Sequence, residues 1–222
     1  MNTQSQKAKD EGGSVDVYEA MAKRKTIRDF DPVEIGADVV RRLLDAGFNA
    51  PSHNHLREWH FIVLQDKSKR KELLEQTVKS GNKDEATKIV DAWGMTDEEQ
   101  RRMYIDAIPK QFSMLMEAGC LIIPCFRQRT ALLQPEALSS LNAFASMWCC
   151  IENVLVAAAS EGIFGVTRIP MEEERKIVKR FLSVPEGYEI PCTIALGYPK
   201  TTAERMTQKE IHVDERIHAN AW

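Results

Sequence analysis

The segment Ser139–Ser160 limits more than any other what this chain can fold into. Leu141, Phe144, Ala145, Trp148, Ile151, Val154, Leu155, Ala158 and Ala159 recur there at helical spacing, with small residues on neighbouring positions. A helix this apolar is expected at the centre of the fold and nearly all buried. Three short apolar runs read as strands: His60–Leu64, Cys120–Phe126 and Pro191–Pro199. Gly162–Ile169 reads as a further strand or an extended loop. Pro124, inside the second run, lacks a ladder donor and so predicts an edge or a bulge there.

Helical patterns lie between these runs. Val17, Tyr18, Met21 and Ala22 share one face behind Ser14 as N-cap, and Val39, Val40, Leu43, Leu44 and Phe48 share another. Thr96-x-x-Glu99 has the form of a capping box. Pro170 suits the first position of a helix opened by Glu172, Glu173 and Glu174. Such alternation argues α/β or α+β, and 222 residues suffice for one domain with a buried core. The polar stretch 1–13 is expected to be a disordered lead-in to a single domain over 14–222. The stretch 67–118, highly charged over 67–100, is expected to form a helical lid or insertion.

Composition narrows the function classes. A net charge of -3 gives no field that would attract nucleic acid or an acidic membrane, so any polyanion site must be local. The five cysteines form no C-x-x-C pair and lie mostly in apolar runs, as small buried hydrophobes of a reducing compartment do. The N-terminus has no apolar core of a signal peptide. No apolar stretch is expected to reach the roughly 20 residues that cross a bilayer. The expectation is a soluble, cytoplasmic protein with no membrane and no nucleic-acid partner.

Three stretches offer chemistry. Lys23, Arg24, Lys25 and Arg28 surround the hydroxyl of Thr26, a set that suits a phosphate: bidentate guanidinium, point-charge ammonium and O–H donor. The same cluster also reads as the solvated charged end of a helix. Pro51–Trp59 is a polar loop between helix and strand, whose His53-x-His55 pair lacks the cysteine or carboxylate that a metal site would add. Gly165–Pro170 can turn backbone N–H groups toward a planar ligand. No Walker A, G-x-G-x-x-G or G-x-S-x-G element is present.

In chain order these stretches resemble one family pattern. Arg24–Phe30 is similar to the "RRSIRxF" opening of the nitroreductase family, and Ala50–Val63 to its "APSxxNxQPWxFxVV" segment. Pro185–Tyr188 with Ile194–Pro199 resembles its "lPeGyxxxxxialGYP" close, and Val213–Trp222 its "LEEIVHxNxW" tail. The resemblance runs from Val17 onward, except over 67–118. It implies an α+β fold with a central, mostly antiparallel sheet wrapped by helices. It further implies an intertwined homodimer with exchanged tails and FMN at the dimer interface.

Carried over by residue, the resemblance implies that Arg24, Lys25 and Thr26 hold phosphate and ribityl, while Arg28 faces the N1/O2 edge of the ring. Lys23 is left as solvent-facing charge. Pro51, Ser52, His53 and His55 pack on the flavin from the other subunit. Thr167, Arg168 and Ile169 lie near N5, and a tail cation, Lys209 or Arg205, completes the phosphate shell. NADH or NADPH is the implied donor and a nitro compound, quinone or related small molecule the acceptor. No catalytic side chain is implied, since the flavin carries the redox chemistry. A flavin-cleaving or reductively dehalogenating enzyme on the same fold, or a non-enzymatic FMN-binding protein for storage or sensing, are the alternatives. Where the family has Asn, Gln and Pro, this chain has His55, Arg57 and Glu58. The added positive or titratable groups imply a pocket that favours anionic or carbonyl-bearing acceptors.

Overall fold

The computed structural model describes residues 16–79, 81–204 and 210–222. The lead-in, Ser14, Arg205 and Lys209 lie outside the described residues. The elements run α1 (Val17–Lys23), α2 (Ala37–Phe48), β1 (Trp59–Val63), α3 (Lys67–Thr77), α4 (Lys83–Ala92), α5 (Glu98–Ala107) and α6 (Gln111–Glu117). They continue with β2 (Cys120–Arg127), α7 (Asn142–Ser160), β3 (Phe164–Arg168), α8 (Glu172–Phe181), β4 (Tyr188–Glu189) and β5 (Thr193–Gly197). Every strand pair is antiparallel, in the order β1-β2-β5-β3, with β4 beside the end of β2. The class is α+β.

Both faces of the sheet are covered. Cys120, Ile122 and Phe126 of β2 and Ile194 and Leu196 of β5 pack with α2 and α7 on one side. Leu121, Ile123 and Cys125, with Ala195, point the other way, toward α3, α6 and α8. Alternate residues of a strand face opposite sides, so a strand covered twice must be apolar throughout, as Cys120–Phe126 is.

Pro124 is not at an edge, but the ladder on one side of it slips by a residue, as at a bulge. Ile122 pairs with Ile194 and Phe126 with Glu189, so three residues of β2 face four of the partner stretch. β2 is central, and Pro124 stands opposite Phe61 in regular register. Arg127 N donates to Glu58 O, and Leu121 O accepts from Leu64 N, so the odd residues of β2 bond toward β1. The even ones, Pro124 among them, face the opposite side. There β2 pairs with β5 through Ile122 and with β4 from Phe126, so the missing N–H falls where one partner gives way to the next.

Caps differ from expectation by a residue or two. Asp16, not a serine, caps α1 by accepting from Tyr18 N at 2.8 Å. Asp97 rather than Thr96 caps α5, accepting from Gln100 N at 2.9 Å. Pro170 precedes Met171, the N-cap of α8, so it stands outside that helix. Helix α1 leaves Val17, Tyr18 and Met21 exposed, and only Ala20 is buried.

Within 67–118, α3 and α6 are parts of the body. Leu73, Leu74, Met114 and Leu115 lie in the core, and the guanidinium of Arg70 is 1% exposed. That guanidinium donates to the carbonyls of Leu64, Leu115, Met116 and Ala118, tying the end of β1 to the open C-terminal carbonyls of α6. Helices α4 and α5 pack on each other.

Helix α7 packs against α1, α2, β2 and β3. It is not nearly all buried: Ala145 and Cys149 are exposed, and Phe144, Trp148 and Leu155 are half-buried. One described segment, Leu138–Ser160, is long and apolar enough to cross a membrane by length and composition, correcting the expectation that no stretch reaches that length.

Candidate functional site

The chain leaves α1 in an extended path, and two apolar anchors fix it. Ile27 and Phe30 are 1% and 0% exposed. At and beside these anchors the backbone joins the sheet: Thr26 bridges Gly165 of β3, Ile27 N donates to Gly165 O at 3.3 Å, and Phe30 bridges Pro199. The basic cluster is therefore strapped along β3 rather than left as a frayed helix end. Lys23, by contrast, stays exposed and pairs with Glu19 at 2.6 Å.

A cavity of about 190 Å³ opens beside this strap, lined by Arg24, Lys25, Thr26, Gly165 and Thr167, with Glu152 of α7 at 2.9 Å from Arg24. Trp148, Ile151 and Leu155, one stripe of α7, form its apolar wall. Cations and hydroxyls thus stand at one end, with an apolar face beside them. Arg28 lies outside this cavity, half-buried; burial pushes its pKa down, and Asp106, Tyr104 and Asp29 oppose that. Lys110 links the same carboxylates, at 3.2 Å from Asp29 and 3.0 Å from Asp106.

Of the stretch after Gly165, only Val166 and Thr167 reach the cavity. The Arg168 guanidinium turns away, donating to Gln111 at 2.8 Å and to Glu174 at 2.9 Å. Ile169 lines a separate apolar groove of about 350 Å³ with Leu133, Phe144 and Met171. Arg175 in that groove is held by Glu172 and Glu189, so its charge is already answered.

The Pro51–Trp59 loop sits elsewhere again. Ser52, His53 and Arg57 line a small cavity with Ala143 and Ser146 of α7. Ser146 and Leu155 stand half a revolution apart on a helix of 3.6 residues per turn, so this cavity and the strap lie on opposite sides of α7. His53 N donates to Ser146 Oγ at 3.0 Å, and Arg57 N to Ser52 Oγ at 3.2 Å. Asn54, His55 and Arg57 all have left-handed backbone, with φ of 52°, 56° and 45°. Pro51 and His55 are exposed. Among the described residues no group of His, Cys, Asp and Glu could hold a metal. Four cysteines are buried and Cys149 is exposed.

Four cavity residues carry signals in the sequence. Trp148, Ile151 and Leu155 read as core because their spacing is that of a buried face, yet that face borders the cavity. Glu152 is the one formal charge between Asn142 and Ser160, and a lone charge in an apolar helix marks a surface with a task.

A Methanothermobacter thermautotrophicus protein, provisionally named NADH dehydrogenase/NAD(P)H nitroreductase, is 28% identical over 215 residues, covering 94% of this chain and 88% of that one. The fold is similar to iodotyrosine deiodinase bound to FMN and 3-iodo-L-tyrosine, at TM-score 0.69 and 16% identity over 93% of this chain and 100% of that one. It is also similar to the NADPH:FMN oxidoreductase of Vibrio harveyi complexed with NAD+, at TM-score 0.65 and 19% identity over 93% and 77% of the two chains. The nitroreductase family itself matches residues 21–198, which hold the strap, α7, β3 and the close at Tyr198, and the chain belongs to that family.

Proposed function

We propose that this chain is an FMN-dependent oxidoreductase that takes reducing equivalents from NADH or NADPH and passes them to a nitro compound, quinone or related small acceptor. The observation that carries this reading is the strap: Arg24, Lys25 and Thr26 held against Gly165 and Thr167 in one cavity. The donor set fits the polar end of FMN. Two cations match a phosphate, two hydroxyls match ribityl oxygens, and the Trp148–Leu155 stripe suits an apolar ring system. When bound, FMN supplies the electron transfer itself. The chain's own residues fix the phosphate end, exclude water with the α7 stripe and place the Thr167–Ile169 backbone near the ring. Arg28 is assigned to the ring's N1/O2 edge, and a tail cation, Lys209 or Arg205, to the phosphate.

A site shared between two copies of the chain accounts for the loop. Pro51, Ser52, His53 and His55 cannot reach the strap of their own chain across α7, so a second copy's loop covers the flavin. Helices α4 and α5 form the lid within 67–118. Arg57 and His55 bias that cover toward anionic or carbonyl-bearing acceptors.

The deciding experiment is the absorption spectrum of the purified protein, followed on addition of NADH or NADPH and then of an acceptor. A yellow protein bleached by either donor and reoxidised by the acceptor is the expected result. A yellow protein inert to both donors would make it a non-enzymatic binder, and one that stays colourless with added FMN would overturn the cofactor assignment.

A further inference from the structure

The cavity holds a carboxylate beside its two cations. Glu152 and Arg24 form an ion pair, Nε to Oε1 at 2.9 Å, with side chains 54% and 29% exposed. Both residues line the cavity with Lys25, Thr26 and Thr167, and Glu152 is its only acidic lining residue among those described. A phosphate entering here meets a half-neutralised site.

Two opposed effects decide what Glu152 does to such a ligand. Its hold on Arg24 fixes one side-chain arrangement, which helps any ligand that uses the remaining guanidinium N–H groups. Against that, a carboxylate within a few ångströms of a phosphate carrying nearly two negative charges repels it, and engages Arg24 before the ligand arrives. At such distances in a half-solvated cavity, charge repulsion outweighs the restriction of a single side chain.

We propose that Glu152 is a built-in competitor for the phosphate: it engages Arg24 in the empty cavity and sets how strongly the site distinguishes a phosphorylated flavin from an unphosphorylated one. This rests on the FMN reading of the cavity given above. Its consequence is a flavin that exchanges with solution more readily than Arg24 and Lys25 alone would allow.

Titration of the flavin-free protein with FMN and with riboflavin, followed by quenching of flavin fluorescence at low and high salt, tests it. Glu152→Gln is expected to bind FMN about tenfold more tightly at low salt. The gain shrinks at high salt, because the pair is exposed to screening. Riboflavin, with no phosphate, is expected to bind both proteins alike. Glu152→Ala, which makes the same charge change in a different shape, is expected to behave as Glu152→Gln, and thermal unfolding of each variant reports its folding. Unchanged or weaker FMN binding in both variants, or an equal gain for riboflavin, overturns the competitor role while leaving the FMN site standing. If neither wild type nor variant binds FMN, the cofactor reading falls and this proposal with it.

Discussion

Arg57 combines two physical features. Its guanidinium adds positive charge to an exposed loop, and its φ of 45° puts a bulky residue in backbone space that only glycine enters without penalty. Substitutions separate the two. Arg57→Ala removes charge and keeps Cβ; Arg57→Gly removes both. In urea unfolding, Arg57→Gly is expected to be more stable than Arg57→Ala by about 1 kcal/mol, the left-handed penalty less glycine's entropy. Both variants are expected to lose turnover of anionic acceptors relative to neutral ones. Equal stabilities would place the strain elsewhere, and an unchanged acceptor ratio would remove Arg57 from selectivity.

The buried thiols make a second prediction at this scale. Burial pushes Cys120 and Cys125 up to about 11 and Cys150 to about 12, and raises Cys192 as well. The folded state therefore holds its thiol protons more tightly than the unfolded chain does. Their contribution is complete below the ordinary thiol value near 9 and is lost as pH rises toward the folded values. Between pH 9 and 11, each such thiol is expected to take away about 1.4 kcal/mol of stability per pH unit. Urea midpoints across that range measure the slope. Cys125→Ala should make it shallower by one thiol's share, and an unchanged slope would mean that this thiol does not titrate on unfolding.

At the scale of elements, β3 joins core and site through Gly165. A Cβ there would stand 2.6 Å from Leu196 Cδ2 and 2.9 Å from Ala195 O, the second being backbone that cannot move aside. Gly165→Ala is expected to cost about 1–3 kcal/mol in unfolding experiments. It is also expected to push β3 away from Thr26 and weaken FMN binding along with stability. Stability lost with FMN affinity intact would show that the strap does not depend on this register.

How far each element was legible follows from what fixes it. The long strands stood out because both sheet faces are covered and their sequences are apolar throughout. The two-residue β4 carries no such pattern and exists only through its pairing with Phe126 and Arg127. Pro124 misled as to an edge, since β2 is central, but it marked an irregular ladder correctly: its missing donor falls where the register slips by a residue and the partner changes. The strap was legible as charge but not as structure, since its order comes from bridges to Gly165 and Pro199, over a hundred residues away. Arg168 was expected near N5 by its place in the chain, but the destination of its side chain was not legible, since that depends on Gln111, far away in the chain, as well as on the nearby Glu174. Chain-order resemblance supplied what local pattern could not.

At the scale of the whole molecule, a single copy leaves several surfaces unfinished. The cavity of about 190 Å³ falls below the roughly 300–1,000 Å³ of sites that enclose a ligand of FMN's kind. Val17, Tyr18 and Met21 are 52%, 79% and 55% exposed on α1, which packs on α7. The described tail, 210–222, is exposed throughout, including Ile211, Val213, Ile217 and Trp222. Apolar surface on this scale is characteristic of an interface. Pairing two copies would cover it and bring a second copy's Pro51–His55 loop to the flavin. Assembly and cofactor binding are then one equilibrium, because FMN that binds only the pair stabilises the pair by mass action. Sedimentation is expected to give twice the 25.2 kDa of the chain, and FMN to dissociate as the protein is diluted through the pair's own dissociation. Met21→Glu, a charge on the exposed face of α1, is expected to yield a folded monomer that has lost FMN. A monomer that binds FMN as tightly as wild type would show that one chain completes the site alone.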